Sequence, residues 1–407
     1  MQRKQNTLLL VCLAYGLWQT SSQWMITLMS FLHWDTRPPM DVTQIGYVQA
    51  VGSFCNALGA FLLGQFIDIS GSKSVFLLSV VLTAAYYAAL SQSGSFVAFL
   101  LSQLFRIGYH FEAGAEMYLA TVTTERERTS TMMVGMSVPH AAALVIGPLL
   151  ASKMFAFFGL RVAAMACACF LAVTLTPLIL WILPDTHDVP SIASARLQPF
   201  DGGVPLLHRN AALREAILLR VLVVAPFICY ELVGRQFIMR RYFSSPSDLA
   251  LLLLITGSSM MFVQFGILRH CRQALTPRRT MQSAFAVLAL SYVSILYSRS
   301  FHQMLIVSAL QSAAYALAFA ETSTQITSSV EAVQLGKATG LASTTQWITH
   351  CAMPLLTAYL AMHWHYTYAI YFAVLLTAAA FVCVTFACKH VDQRIQDILP
   401  VVTAMTF

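Results

Sequence analysis

Twelve apolar runs of about twenty residues constrain what this chain can fold into more than any other feature. The runs fall near residues 7–31, 44–68, 74–92, 95–119, 132–156, 161–184, 215–239, 248–268, 280–298, 302–325, 336–360 and 367–389. A helix needs about twenty consecutive apolar residues to cross the hydrocarbon core of a bilayer. Inside that core the chain must satisfy its own backbone hydrogen bonds, which a helix does within one segment. The sequence therefore predicts an all-α polytopic membrane protein with twelve transmembrane helices.

The composition excludes several classes of protein. Of the 407 residues, 58% are hydrophobic and 10% are charged, whereas a soluble globular domain has about 25% charged residues. The net charge of +7 does not indicate a nucleic-acid partner, because the basic residues lie mainly in short segments between the apolar runs. The nine cysteines form no CxxC or Cys/His metal spacing, so we expect no metal and no cofactor. The expected partners are the lipid bilayer and a small organic solute, and we expect the monomer to be the functional unit.

The basic residues also predict the orientation of the chain. Cytoplasmic loops carry an excess of lysine and arginine. With the N-terminus inside, fifteen of these residues fall in cytoplasmic segments and six fall in outer segments. We therefore expect both termini on the cytoplasmic side of a plasma membrane or an endomembrane.

A polar break divides the runs into two sets of six. The break contains Pro190, Pro199, Pro205 and the pair Gly202-Gly203, a composition typical of a linker. We predict an N-terminal six-helix bundle at residues 1–184, a cytoplasmic linker at 185–214, and a C-terminal six-helix bundle with a short cytoplasmic tail at 215–407.

The two sets of runs resemble each other at a steady offset. The glycine pattern at 64–68 returns 202 residues later at 266–270, and the proline pattern at 147–150 returns 206 residues later at 353–356. Such spacing favours a duplicated unit and two pseudo-symmetric bundles. Transporters built this way bind their solute near mid-membrane, between the repeats.

One run carries an unusual number of ionisable residues. Residues 102–121 include Arg106, His110, Glu112 and Glu116. A charged side chain in hydrocarbon costs a few kcal/mol or more, so such residues usually face a protein interior or a wet cavity. On a continuous helix, Arg106 and His110 lie on one stripe, and the two glutamates lie on another. At least one stripe should therefore face inward and meet a solute or a proton.

The segment 64–73 resembles the loop signature between helices 2 and 3 of the major facilitator superfamily, G-x-x-x-D-R/K-x-G-R/K-R/K. The matching positions are Gly64, Asp68, Gly71 and Lys73, whereas Ile69 and Ser72 replace basic residues. The resemblance implies the superfamily fold of two six-helix bundles and a cytoplasmic gate formed by the four matching residues. The alternative is that Asp68 and Lys73 only anchor a turn at the membrane interface.

Three further features are similar to those of drug:proton antiporters: Arg106, the triplet 45–47 and the pair Gly147-Pro148. The chain also resembles an organic-cation-transporter-like orphan group. The resemblance implies that Arg106 tunes a nearby proton-carrying carboxylate, for which Glu112 and Glu116 are candidates. It also implies that Gly147-Pro148 kinks its helix and helps to shape a cavity. The alternative for the charged residues is a structural polar network that joins helices.

Further polar residues inside the runs are candidates for binding the solute or the proton. They are Gln23, His140, Glu231, Arg235, Gln346 and His350. Glu231 precedes Arg235 by four residues, which favours an ion pair within one helix. His140 could titrate near neutral pH, although a lone histidine among alanines can also serve as a hydrogen-bonding link between helices.

Run 2 carries a stripe of small residues, Asn56, Ala60 and Gly64. Small residues on one stripe let transmembrane helices approach closely. We expect this stripe to serve helix packing alone.

These observations predict a secondary active transporter rather than an enzyme. We expect proton-coupled antiport of a small organic solute, cationic or amphipathic, by alternating access. The sequence has no HExxH motif and no phosphate-binding glycine loop, which would indicate a metalloprotease or an ATP-driven pump. The alternative is a transporter-like membrane receptor or scaffold without turnover.

Overall fold

The predicted apolar runs coincide with helices in the computed structural model. The structure describes residues 2–112, 114–115, 125–182, 204–242, 245–330, 335–388 and 391. Within these residues every regular element is helical. The prediction of an all-α fold is confirmed.

Helices in the first part of the chain have the following bounds: α1 Gln2–Trp34, α2 Val42–Gln92, α3 Phe96–Ser102, a 3-10 segment Gln103–Gly108, α4 Glu125–Phe158, and α5 Leu160–Pro177 with a π turn at Leu178–Ile182. Those that follow are α6 Val204–Arg209, α7 Ala211–Tyr242, α8 Pro246–Phe262 with a π turn at Val263–Ile267, α9 Leu268–Ala274, α10 Pro277–Tyr297, α11 Phe301–Ser328, α12 Leu335–His363, and α13 Tyr366–Val382 with a π turn at Cys383–Ala387.

Six stretches within the described residues are helical, long and apolar enough to cross a membrane: Lys73–Gln92, Leu160–Leu180, Ala211–Gly234, Pro277–Tyr297, Phe301–Ile326 and Tyr366–Ala387. Shorter apolar helices are present at Phe96–Gly108, Ala142–Phe158 and Ser247–Phe262. Helices with this much exposed apolar surface are stable in the hydrocarbon core of a bilayer. The protein is an integral membrane protein, as predicted.

Helix α2 differs from the prediction. Runs 2 and 3 were expected to be separated by a loop within residues 64–73, but the backbone is helical from Val42 to Gln92. No proline interrupts this stretch, so every residue in it can donate to the helical hydrogen-bond ladder. Asp41 starts the helix, because its side chain accepts from the Gln44 N–H while the Gln44 side chain accepts from the Asp41 N–H, which is a capping box.

The fourth run is also not one continuous helix. Helix α3 passes into the 3-10 segment, and the chain at Tyr109 and His110 is not helical. In an α-helix the His110 N–H would bond to the Arg106 carbonyl. Instead it bonds to the Gly108 carbonyl at 2.8 Å, and Arg106 O accepts from Tyr109 N at 2.9 Å. The stripe assignment for this run, which assumed regular helical geometry, was therefore wrong.

The chain divides into two compact units. The first contains residues 1–198 and 239–258, and the second contains 199–238 and 259–407. In the first unit, helices α1, α2, α4 and α5 pack together, and α2 also contacts the 3-10 segment. In the second unit, α10 packs against α11 and α13. The predicted boundaries of the two bundles and of the linker at 185–214 stay predictions, because most of the linker lies outside the described residues.

Candidate functional site

The break in the fourth run lies against helix α2, at positions where α2 has glycine. A Cβ atom on Gly59 would overlap the Ile107 carbonyl, and one on Gly52 would overlap the side chains of Arg106 and Gln103. Gly52 and Gly59 are seven residues apart, so they share one face of the helix. Glycine is required on this face because the neighbouring backbone and polar side chains occupy the space of a side chain.

Asn56 lies between these two glycines and binds Arg106 at two points. Its amide nitrogen donates to the Arg106 carbonyl at 2.9 Å, and its amide oxygen accepts from Arg106 Nη2 at 2.8 Å. The side chain thus replaces a missing helical bond and holds the guanidinium. Asn56 is fully buried. The expectation that this stripe serves packing alone was wrong, because one of its members is a polar clamp.

The guanidinium of Arg106 also faces two tyrosines and an amide. Arg106 Nη1 donates to Gln103 Oε1 at 3.4 Å, and Cζ lies 6.0 Å from the ring centre of Tyr86 and 5.9 Å from that of Tyr109. Aromatic faces attract cations at such distances. No carboxylate is paired with Arg106 by any contact found among the described residues, so its charge is stabilised by dipoles and rings.

Tyr109 connects this cluster to helix α1. Its hydroxyl lies 2.5 Å from Ser22 Oγ and 3.2 Å from the hydroxyl of Tyr87. The hydroxyl bond to Ser22 places α1 beside the non-helical turn. Half-helices that end at a polar turn are the usual way in which transporters form binding sites inside a membrane.

Trp18 covers the same turn with its indole ring. The ring centre lies 4.8 Å from that of Tyr109 and 5.8 Å from that of Phe111. Trp18 is 2% exposed, and its Nε1–H has no acceptor among the described residues. Buried donors without a partner are rare in folded proteins, so this indole N–H is a position at which a ligand or a water can bind.

Glu112 lies on the other side of the turn, next to helices α1 and α4. Its Oε1 accepts from the Tyr15 hydroxyl at 3.0 Å, and Tyr15 in turn accepts from Gln19 Nε2 at 2.8 Å. His140 of α4 lies within electrostatic range of the carboxylate. The Glu112 side chain is exposed while Tyr15 is buried. One carboxylate oxygen is therefore hydrogen-bonded, while the carboxyl group remains accessible.

His110 lies on the Arg106 side of the turn. A Cβ on Gly59 would contact His110 Nε2, and the ring lies near the Asn56 backbone. The structure therefore brings Arg106 and His110 together against α2 and places Glu112 against α1 and α4. The separation of these two groups results from the break in the run and not from helical periodicity.

Several predicted residues lie elsewhere or outside the described residues. The side chains of Gly64, Asp68, Gly71, Glu116 and Arg235 lie outside the described part, and their predicted roles stay predictions. Lys73 is half-buried near the middle of α2. The remaining candidates of the second unit are half-buried: Glu231 on α7, and Gln346 and His350 on α12.

Gly147 and Gln23 form a packing contact between α4 and α1. A Cβ on Gly147 would lie 2.7 Å from Thr20 O and from Gln23 Cβ. Gln23 is buried. Pro148 lies inside α4, and the proposed kink stays a prediction. Gly147 is needed here for the close approach of two helix backbones.

One buried cation was not among the residues predicted from the sequence. Arg220 lies on α7 and is 6% exposed. Its guanidinium lies over the Phe319 ring, with Cζ 3.6 Å from the ring centre, and Nη2 donates to Ser323 Oγ. The signal was present, because Arg220 is a charged residue inside the apolar run at 215–239. Tyr15 and Tyr109 were also missed, since nothing in their local sequence marks them as site residues.

We expect Arg106→Lys to destabilise the protein by about 1–3 kcal/mol, because lysine lacks the planar fork that bonds Asn56 and Gln103 together. The measurement is thermal unfolding of the purified protein in mild detergent. Arg161→Lys is the matched control: Arg161 Nε bonds to Asp35 at 2.8 Å with its side chain 39% exposed, and exposed pairs contribute about 1 kcal/mol or less. Equal losses of stability in Arg106→Lys and Arg161→Lys would contradict the stabilising role of the bonds between Asn56 and Arg106.

Comparisons with known proteins agree with this architecture. A family model described as Major Facilitator Superfamily matches residues 7–273 and 239–397. No curated protein sequence matches the chain significantly. Among solved structures, the human organic anion transporter MFSD10 (TETRAN) is 19% identical with a TM-score of 0.69, covering 94% of this chain and 99% of its own.

Two structures of the nucleoside transporter NupG are also similar. The point-mutant form is 15% identical with a TM-score of 0.74, covering 94% of this chain and 99% of its own. The other form is 15% identical with a TM-score of 0.69, covering 95% of this chain and 100% of its own. At such identities these likenesses show the fold alone.

Proposed function

Because the chain belongs to the major facilitator superfamily, we propose that it is a secondary active transporter that couples a small organic solute to the proton gradient. The superfamily membership supports a transporter rather than an enzyme. The proton coupling, the class of solute and the antiport mode are proposals. One observation carries them: an accessible carboxylate, Glu112, bonded to a buried tyrosine inside a discontinuous membrane segment.

The proton-carrying role of Glu112 follows from its surroundings. The carboxylate accepts a hydrogen bond from the Tyr15 hydroxyl, and His140 lies within electrostatic range of it. Loss of water around the carboxylate favours the neutral form. A conformational change that alters access to Glu112 therefore changes its proton affinity, which is the requirement for coupling.

The solute is proposed to be a small amphipathic molecule. Trp18, Tyr109 and Phe111 supply stacked aromatic surface, and the Trp18 N–H supplies an unused donor. Apolar pockets with a few placed polar groups are typical of organic ligands. The similar structures carry the descriptions of an organic anion transporter and a nucleoside transporter, which supports a solute of this size.

Antiport with an organic cation is the form of coupling that Glu112 favours. A cation and a proton compete for one exposed carboxylate, so binding of either displaces the other. The aromatic rings around the turn stabilise a positive charge as well. A receptor or scaffold without turnover is the second candidate, favoured by the departures from the loop signature at Ile69 and Ser72.

The remaining expectations are proposals that accompany this mechanism. Gly64, Asp68, Gly71 and Lys73 are proposed to form the cytoplasmic gate, with both termini on that side of the membrane. The functional unit is proposed to be a monomer in a plasma membrane or endomembrane. The proton is the proposed coupling ion, and no cofactor is required.

The test uses the purified full-length chain in proteoliposomes with an imposed pH gradient. A panel of organic cations, organic anions and nucleosides is added, and proton movement is followed with a pH-sensitive dye inside the vesicles. Solute-dependent proton movement out of acid-loaded vesicles supports proton-coupled antiport. Solute uptake that is insensitive to the gradient contradicts the coupling. Absence of flux of every solute by folded protein favours the receptor or scaffold.

A further inference from the structure

Arg220 is a buried cation in a membrane-spanning helix. It lies within the apolar stretch Ala211–Gly234 and is 6% exposed. Placing arginine at the centre of a membrane helix is energetically unfavourable. A charged residue inside a membrane helix normally has a compensating partner or a function. The contacts of Arg220 distinguish these two cases.

The described partners of Arg220 are all neutral. Nη2 donates to Ser323 Oγ, and the guanidinium lies over the Phe319 ring at 3.6 Å from Cζ to the ring centre. The electrostatic neighbour of the guanidinium is the neutral Tyr315 hydroxyl. Arg220 Nε has no acceptor among the described residues. The cation is held by a ring and a hydroxyl, and part of its hydrogen-bonding capacity is unused.

The carboxylates of α7 and α11 do not compensate this charge. Glu215 is five residues before Arg220 on α7, which places it about 140° around the helix from Arg220. Glu231 is eleven residues further along α7, which is about 16 Å of helix rise. Glu321 is two residues from Phe319 on α11, so it projects about 200° around that helix from the ring under Arg220. No ion pair between Arg220 and a carboxylate is found in the described part of the chain.

The surroundings of Arg220 form one continuous aromatic wall. Tyr315, Phe319 and Ser323 are spaced by four residues, so they share one face of α11. Phe227, seven residues from Arg220 on α7, stacks on Tyr315 with ring centres 4.1 Å apart. The site therefore has a cationic end, a hydroxyl donor and flat apolar sides.

We propose that Arg220 binds the carboxylate of a small aromatic acid. Guanidinium binds a carboxylate through two parallel N–H bonds, for which the unused Nε–H and a neighbouring Nη–H are suited. Phe319 and Tyr315 contact the ring of the acid. This inference rests on the proposed function, because a closed site can load only if the protein changes conformation. It adds an acid group to the proposed amphipathic solute, so that a solute that also exchanges with a proton at Glu112 is a zwitterion rather than a simple cation.

The test compares three probes that share one skeleton: 3-phenylpropionate, its neutral amide 3-phenylpropionamide, and 2-phenylethylamine. Binding to the purified full-length protein in nanodiscs is measured by calorimetry at fixed salt. We expect 3-phenylpropionate to bind at least about tenfold more tightly than the amide or the amine. Arg220→Met should abolish this preference, and Arg220→Lys should retain a reduced one, because lysine keeps the charge without the fork. Arg214→Gln, an exposed arginine on the same helix, should leave binding unchanged.

A second readout separates binding from a structural role. Because Arg220 has no partner charge among the described residues, Arg220→Met should keep or raise the melting temperature of the ligand-free protein. A lowered melting temperature would show that Arg220 is a structural residue and would overturn the inference. Equal affinity of the wild type for the acid and the amide, or binding of neither, would also overturn it.

The same variants distinguish this inference from the proposed function. If the acid binds at Arg220 but no solute moves across vesicles, then the proposed transport fails and the binding site stands. If proton-coupled flux persists in Arg220→Met with unchanged preference among the probes, then the site fails and the transport stands.

Discussion

We expect Glu112→Gln to abolish proton-driven accumulation of the solute while leaving solute exchange intact. Glutamine resembles the protonated carboxyl in shape but cannot release a proton, so the coupling step is blocked and the binding surfaces are retained. Net uptake against a gradient should fall at least about tenfold, which corresponds to about 1.4 kcal/mol. The measurement is pH-driven uptake together with solute counterflow in proteoliposomes that contain equal amounts of folded protein.

Two control variants make this expectation specific. Glu112→Asp keeps a titratable carboxyl and should keep part of the pH response. Asp41→Asn changes an exposed carboxylate at the start of α2, where asparagine caps a helix as well as aspartate does, so transport and its pH response should be unchanged. Uptake by Glu112→Gln with the wild-type pH response would assign the proton to another residue.

We expect Gly59→Ala to be among the most destabilising single substitutions in the first unit. The added methyl group would overlap the Ile107 carbonyl, and backbone cannot move aside as a flexible side chain can. Overpacking of a close-packed interior costs about 1–3 kcal/mol and occasionally more. Displacement of the 3-10 segment should also separate Arg106 from Asn56 and reduce transport. Thermal unfolding and the yield of folded protein in mild detergent measure the effect.

The control for this prediction is another glycine of the same unit. A Cβ on Gly94 meets nothing within 4 Å, so Gly94→Ala should change stability by less than about 0.5 kcal/mol. Similar melting temperatures for Gly59→Ala and Gly94→Ala would show that α2 does not depend on this close approach.

Much of the site chemistry can be predicted from the sequence, because ionisable residues stand out inside runs that are apolar enough to cross a membrane. Arg106, His110 and Glu112 are ionisable groups in an apolar run, and that alone indicates an inward-facing polar site. Arg220 gives the same signal and could have been found in the same way. By contrast, Tyr15 and Asn56 are unremarkable in their local sequence, and their roles come from contacts with residues 97 and 50 positions away.

The sequence by itself determined that this is a helical integral membrane protein, because the requirement to satisfy backbone hydrogen bonds in hydrocarbon acts on each run independently of the others. The tertiary structure decided where those helices break. The sequence of the fourth run predicts one regular helix. In the structure Asn56 of α2 donates a hydrogen bond to the Arg106 carbonyl, and the glycines beside Asn56 let the two segments touch. Such contacts depend on which helices become neighbours, and local periodicity carries no information about that choice.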